Sequence, residues 1–173
     1  MRAAGEPIKV GLNVSGLLMA GGYTRNNMFG LKSDYPGLIH SIIESFLAVP
    51  GCELHLVPHV IVNDAQSPED DLSASVDLAG KYPAVRLAPA FSDPSEAKTY
   101  IAGLDFFMGA RMHSCIAAFS SGVPVVPMAY SRKFAGLFGS LGYNHTVDCT
   151  TESADAILGK VLDAFANRAG LKR

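Results

Sequence analysis

Residues 104–128, LDFFMGARMHSCIAAFSSGVPVVPM, contain two short apolar runs on either side of a helical pattern. The runs are Leu104–Met108 and Val123–Met128, and each has the length and the apolar character of a buried strand. Between the two runs, apolar side chains recur at helical spacing, at Met112, Cys115, Ile116 and Phe119. A strand, a helix and a second strand in this order predict two parallel strands joined by a right-handed crossover.

The same alternation continues along the rest of the chain. Four more strands are predicted, at Ile8–Val14, Glu53–Val60, Ala84–Ala88 and His145–Asp148, with helical segments between them. The pattern predicts one α/β domain over residues 1–173, a doubly wound, mostly parallel six-stranded Rossmann-like sheet. In the common strand order 3-2-1-4-5-6, the first and fourth strands are neighbours where the winding reverses, and open α/β sheets bind ligands there.

Composition argues against several classes of protein. An apolar content of 49% with 17% charged residues suits a parallel sheet covered by helices on both faces. The apolar runs are far shorter than the roughly 20 residues of a membrane span. The start, MRAAGEP, lacks the apolar core of a signal peptide, so a cytoplasmic protein is expected. The net charge of −2 gives no basis for nucleic-acid binding.

Metal, disulfide and common cofactor motifs are not found in the sequence. Cys52, Cys115 and Cys149 are far apart, which predicts buried thiols rather than a disulfide framework or a zinc site. The acidic residues are dispersed, so no metal site is expected. The glycine-rich dinucleotide motif, the Walker loop, the G-x-S-x-G elbow and H-E-x-x-H are all missing.

Two polar segments follow the first and fourth predicted strands. Ser15–Asp34 is an aperiodic stretch of about 20 residues that includes Ser15 and Arg25, and loops of this length are usually functional or disordered. The turn Gly109–Ser114 leads into a helix N-terminus, where backbone N–H groups attract anions. Arg111 can clamp phosphate or carboxylate, and His113 can move a proton near neutral pH. The alternatives are an ordinary exposed arginine and a packed histidine.

Two further polar groups end neighbouring strands. Tyr130 and Lys133 follow the fifth strand and also precede a helix, although solvated surface charge explains Lys133 equally well. His59 follows Pro58 at the end of the second strand, where it either lines the cleft or caps the strand.

These segments together resemble the C-terminal half of the polysaccharide pyruvyl transferase family. The resemblance rests on the R-x-H of residues 111–113, the G-x-P-V of residues 122–125 and the Tyr130 and Lys133 pair. The stretches GLNVS at residues 11–15 and Pro58-His59 with Asp64 are also similar. The resemblance implies a two-domain fold of the B-type glycosyltransferase kind, in which this chain is the C-terminal half and an N-terminal domain is its partner.

The resemblance also implies an activity and roles for these residues. The family transfers a pyruvyl group from phosphoenolpyruvate to two hydroxyls of a sugar or lipid-linked oligosaccharide, forming a pyruvate ketal in a cell-surface polysaccharide or its precursor. Arg111 and His113 would bind the phosphate and carboxylate of phosphoenolpyruvate, with Ser114, Tyr130 and Lys133 nearby. His113 is the candidate catalytic proton carrier. Phosphoenolpyruvate is then the donor substrate, and no cofactor is expected.

Two other functions remain open at this point. One is a half-domain of a B-type glycosyltransferase or a sugar-nucleotide epimerase, which would normally carry an acidic residue near the helix after the fourth strand. That helix instead offers Arg, His, Ser and Cys side chains. The other is a non-catalytic Rossmann-like interaction module.

Overall fold

The sheet has six strands, all of them parallel. A computed structural model of the chain describes residues 6–19, 35–58, 71–89, 93–130, 136–138, 140 and 146–168. The strands are β1 (Ile8–Asn13), β2 (Cys52–Leu56), β3 (Arg86–Leu87), β4 (Phe106–Gly109), β5 (Val125–Ala129) and β6 (Val147–Asp148). They lie in the order β3-β2-β1-β4-β5-β6, with every neighbouring pair parallel. The predicted fold class is confirmed, and the strand order is the common one that places β1 beside β4.

Helices lie between these strands and after β6. They are α1 (Gly16–Met19), α2 (Tyr35–Leu47), α3 (Asp71–Lys81), α4 (Pro94–Ala102), α5 (Met112–Ser120) and α6 (Ala154–Ala166). Local sequence sets where α4 and α6 begin, because the side chains of Asp93 and Ser153 each accept a backbone N–H of the first turn. Within the described ranges, no helix is long and apolar enough to span a bilayer, which takes roughly 20 residues.

The helices cover both faces of the sheet and bury two apolar cores. Successive residues of β4 point to opposite faces, so Phe106 and Met108 join one core and Phe107 joins the other. The first core lies under α2, α3 and α6, and the second lies under α4 and α5. Burial on both faces explains why the strand sequences are continuously apolar.

Several strands begin or end at residues other than the predicted ones. The second strand ends at Leu56 rather than Val60, and Pro58, which has no N–H for a ladder, follows closely. The third is only Arg86–Leu87, an exposed edge strand with β2 as its sole neighbour. The fourth and fifth begin at Phe106 and Val125, two residues later than expected.

Gly11 permits close packing at the centre of the sheet. It pairs with Phe107 on the neighbouring strand. A Cβ atom on Gly11 would lie 2.4 Å from Leu104 Cδ1 and 2.7 Å from Phe107 Cδ1. Both of these side chains belong to the second core, so any side chain at position 11 displaces core atoms.

Three polar side chains form a series of hydrogen bonds across the interface between β2 and α4. His55 Nε2 lies 2.6 Å from Glu53 Oε1, and His55 Nδ1 lies 2.5 Å from the hydroxyl oxygen of Tyr100. Because a carboxylate can only accept, a neutral His55 donates from Nε2 to Glu53 and accepts at Nδ1 from Tyr100. Burial lowers the pKa of His55, although the hydrogen bond to Glu53 opposes that shift. The folded protein therefore favours the neutral imidazole.

We expect Gly11→Ala to lower the free energy of unfolding by about 1–3 kcal/mol, because the new methyl group overpacks the core. Gly159→Ala is the matched control, since Gly159 is exposed within α6 and nothing lies within 4 Å of its added Cβ. That control should gain about 0.5–1 kcal/mol from helix propensity. Urea denaturation measures both changes, and equal effects of the two substitutions would contradict the packing argument.

His55 should also make stability depend on pH. Its pKa is about 6.5 in the unfolded chain and lower in the folded protein, so the unfolded state binds the proton more readily. The contribution of neutral His55 to stability is complete above about pH 6.5. It is lost as the pH falls through the pKa that His55 has in the folded protein. Between pH 7.5 and pH 5, His55→Gln should therefore lose less stability than the parent. Equal pH slopes in denaturation would show that His55 does not contribute.

Candidate active site

Asn13 joins four segments at the carboxyl edge of the sheet. Its side chain is fully buried at the end of β1. Its Nδ2 donates to the backbone oxygen of Val57 at 3.0 Å and to Asp71 Oδ2 at 3.1 Å. Its Oδ1 accepts the backbone N–H of Arg111 at 3.0 Å. One amide therefore fixes the ends of β1 and β2, the start of α3, and the turn between β4 and α5.

Asp71 provides a buried negative charge at the same place. Its side chain is 0% exposed, at the first residue of α3. Oδ1 accepts from Gly16 N at 2.9 Å and from Arg111 Nη2 at 2.8 Å. Arg111 Nε lies 3.2 and 3.3 Å from the two carboxylate oxygens. Hydrogen bonds, a paired cation and the helix N-terminus together compensate the lost hydration of this carboxylate.

Arg111 is held in a single orientation by this carboxylate. Only 11% of its side chain is exposed. Burial lowers the pKa of the guanidinium, but hydrogen bonding and Coulomb attraction to Asp71 outweigh that effect and raise it, so the group stays charged. Arg111 is the N-cap of α5, in extended backbone, because its N–H donates to Asn13 and its carbonyl accepts from Ser114 and Cys115.

Gly109 and Ser114 shape the turn around Arg111. A Cβ atom on Gly109 would lie 2.9 Å from Asn13 Cβ and 3.2 Å from Ser114 Oγ. The Ser114 hydroxyl is buried and donates to the backbone oxygen of Arg111 at 2.7 Å. Ser114, predicted to bind substrate, is thus placed where it stabilises the turn that presents Arg111.

His113 and Tyr130 lie near Arg111, on neighbouring strand ends. His113 is exposed in the first turn of α5. Tyr130 is half-buried directly after β5, the strand next to β4. It is close enough to Arg111 to interact with it electrostatically, and this interaction raises the pKa of Arg111. The structure therefore brings three predicted site residues together, and they are Arg111, His113 and Tyr130.

Ser15 lies on the other side of Asn13, where the predicted loop begins. It is buried, its backbone N–H donates to the hydroxyl of Tyr35, and its Oγ accepts from Leu18 N. Ser15 therefore caps α1, a short helix within the segment that was predicted to be aperiodic. Burial raises the pKa of Tyr35, which keeps its phenol neutral. The predicted site residues Arg25, His59 and Lys133 lie outside the described residues.

Asn13 and Asp71 are two residues of the candidate site that the sequence did not predict. Asn13 is a polar residue that ends an apolar strand beside the switch point, and that placement was the available signal. Asp71 was hidden among the acidic residues 69–71, which resemble an ordinary first helical turn. Among the described residues, no group of three His, Cys, Asp or Glu side chains could hold a metal ion.

Comparison with known proteins identifies the family. The family model described as polysaccharide pyruvyl transferase matches residues 18–132, which is more than half of the chain and includes Asp71, Arg111 and Tyr130. The chain belongs to the polysaccharide pyruvyl transferase family. The family membership expected from the R-x-H and G-x-P-V motifs is confirmed, and the chain is a transferase-family protein.

One similar solved structure is the glycosyltransferase SnogD from Streptomyces nogalater, with 12% sequence identity and a TM-score of 0.44. The match covers 99% of this pyruvyl transferase-family chain and 41% of SnogD, so the chain spans less than half the length of that protein. No curated protein matches the chain by sequence.

We expect Asp71→Ala to lower the free energy of unfolding by about 3–5 kcal/mol, because it leaves the buried Arg111 cation unpaired. Asp77→Ala is the control, since Asp77 is an exposed acid on the same helix and its loss should change stability by no more than about 0.5 kcal/mol. Chemical denaturation of both variants gives the comparison. Similar small losses in both would mean that the ion pair does not stabilise the fold.

Proposed function

We propose that this protein takes part in transferring a pyruvyl group from phosphoenolpyruvate to a sugar of a cell-surface polysaccharide or its precursor, forming a pyruvate ketal. The observation that carries the proposal is the orientation of Arg111 by Asp71 at the N-terminus of α5, beside His113 and at the strand-order switch. The geometry suits a small anion, and phosphoenolpyruvate carries both a phosphate and a carboxylate.

The ion pair determines how Arg111 would bind that anion. Asp71 occupies the edge of the guanidinium formed by Nε and Nη2. In the proposal, the planar guanidinium contributes further hydrogen bonds to the donor, in the geometry that matches phosphate and carboxylate. Because Asp71 offsets the charge of Arg111, the positive end of α5, together with Lys133 and Arg25, would supply the remaining attraction.

The proposed chemistry balances without a cofactor. A proton is added to the methylene carbon of phosphoenolpyruvate, which becomes the methyl group and leaves the central carbon electrophilic. One sugar hydroxyl forms a C–O bond there, the C–O bond to phosphate breaks, and a second hydroxyl closes the ketal. The two hydroxyls release two protons, one balancing the methyl group and one carried by phosphate. His113 is the proposed proton carrier, since imidazole exchanges protons near neutral pH.

The proposal includes a partner domain. Arg111 and His113 lie at the carboxyl edge of the sheet, where an N-terminal domain would close over phosphoenolpyruvate and the sugar or lipid-linked acceptor. We therefore propose that residues 1–173 form the C-terminal half of a two-domain cytoplasmic enzyme. The acceptor hydroxyls would enter from the side of the partner domain.

Calorimetric titration with phosphoenolpyruvate at low salt tests the donor site. Arg111→Lys retains the charge beside Asp71 but loses the planar guanidinium, and it should weaken binding by at least about tenfold. His113→Ala should also weaken binding. Arg86→Lys is the control, because Arg86 is 64% exposed on the edge strand and should bind like the parent.

Two results would overturn the proposal. One is no phosphoenolpyruvate binding by the parent chain, either alone or with the proposed N-terminal half. The other is equal binding by the parent, Arg111→Lys and His113→Ala, with circular dichroism showing that all three are folded. A glycosyltransferase half-domain would instead bind a sugar nucleotide under the same conditions, and an interaction module would bind neither ligand.

A further inference from the structure

A second concave surface lies beside the edge strand, away from Arg111. It is a cavity of about 460 Å³, and its lining residues are Pro89, Asp93, Ser95, Glu96, Thr99 and Tyr100. This volume lies within the range of small-molecule sites. Pro89 and one side of α4 with its N-cap line the cavity, so it is on the face of the sheet opposite α2 and α3.

Tyr100 forms a fixed wall of this cavity. Its hydroxyl contacts His55, which contacts Glu53, and Arg86 Nε lies 3.0 Å from Glu53 Oε2. His55 is only 8% exposed, and a buried polar chain of this kind is seldom more stabilising than apolar packing. These hydrogen-bonded side chains instead hold the Tyr100 ring in one position. That ring is the aromatic surface of the cavity.

The other lining groups are acceptors and hydroxyls. Asp93 and Glu96 provide carboxylates, and Ser95 and Thr99 provide hydroxyl oxygens. Asp93 Oδ1 already accepts the N–H of Glu96 at 2.9 Å, so this carboxylate caps the start of α4. Two carboxylates repel phosphate and carboxylate ligands, so phosphoenolpyruvate does not suit this cavity.

A neutral sugar fits this combination of groups. Its hydroxyls can donate to the carboxylates of Asp93 and Glu96, and its C–H face can pack against the ring of Tyr100. We propose that the cavity binds a neutral sugar unit of the acceptor oligosaccharide, at a distance from the sugar that receives the pyruvyl group. The role as an acceptor subsite rests on the proposed function above, whereas sugar binding itself does not.

The position of the cavity relates it to the proposed donor site. Four of its lining residues belong to α4, and α4 packs against α5, the helix that begins after Arg111. An acceptor of more than one sugar unit would be able to contact both places.

Amide NMR of the isotope-labelled chain tests the proposal. The probes are a panel of neutral trisaccharides built from glucose, galactose, mannose and N-acetylglucosamine. At least one of them should shift the amides of residues 93–100, and Glu96→Gln and Tyr100→Ala should each weaken its binding at least about fivefold. Tyr100→Phe keeps the ring and should weaken binding less than Tyr100→Ala. Asp77→Asn, an exposed acid on α3, is the control and should bind like the parent.

Three results would overturn the proposal: no trisaccharide shifts residues 93–100, the variants bind like the parent, or a simple primary amine causes the shifts while the sugars do not. The last result would identify a cation site.

Phosphoenolpyruvate titrated into the same sample should shift the amides of residues 111–114 and leave residues 93–100 unchanged. If phosphoenolpyruvate caused no shift at residues 111–114 while a trisaccharide still shifted residues 93–100, the proposed pyruvyl transfer would be overturned and sugar binding would not. The failure of the proposed function is therefore distinguishable from the failure of the sugar site.

Discussion

The buried ion pair between Asp71 and Arg111, with Asn13 bonded to both residues, is the interaction on which the candidate site depends. A carboxylate with no exposed surface is stable only when its oxygens accept several donors, and here the donors come from Asn13, Gly16 and Arg111. Each donor belongs to a different segment of the carboxyl edge. The requirement to satisfy one buried charge therefore holds these segments in a single arrangement.

The fold makes this arrangement possible through close packing at the switch point. β1 and β4 are adjacent, and Asn13 is paired with Gly109 in their register. Because Gly109 has no side chain, Asn13 and Ser114 can both approach the turn that carries Arg111. Gly11 has the corresponding role two pairs away, where the ring of Phe107 approaches the space of the missing Cβ. Small residues thus place polar groups and core side chains within van der Waals contact.

The two surfaces differ in their electrostatics, and the difference follows from their local structure. At the start of α5 a cation and a helix N-terminus meet, and the carboxylate beside them orients the guanidinium. At the start of α4 one acidic side chain is the N-cap and a second lies in the first turn, and an aromatic ring is fixed nearby. The first place suits a small anion and the second suits a neutral polyol, which are the two kinds of ligand that the proposed function requires.

The sequence by itself determined the α/β class and the family, because apolar periodicity and short motifs are local properties of the chain. It also located Arg111, His113 and Tyr130, whose spacing from the strand ends is visible in the sequence. Only the tertiary structure decided the partners of Arg111. Asp71 is 40 residues away and Asn13 is 98 residues away. Such pairs are brought together by the crossovers and by the register of the parallel strands. That register depends on packing over the whole sheet, and no local pattern encodes it.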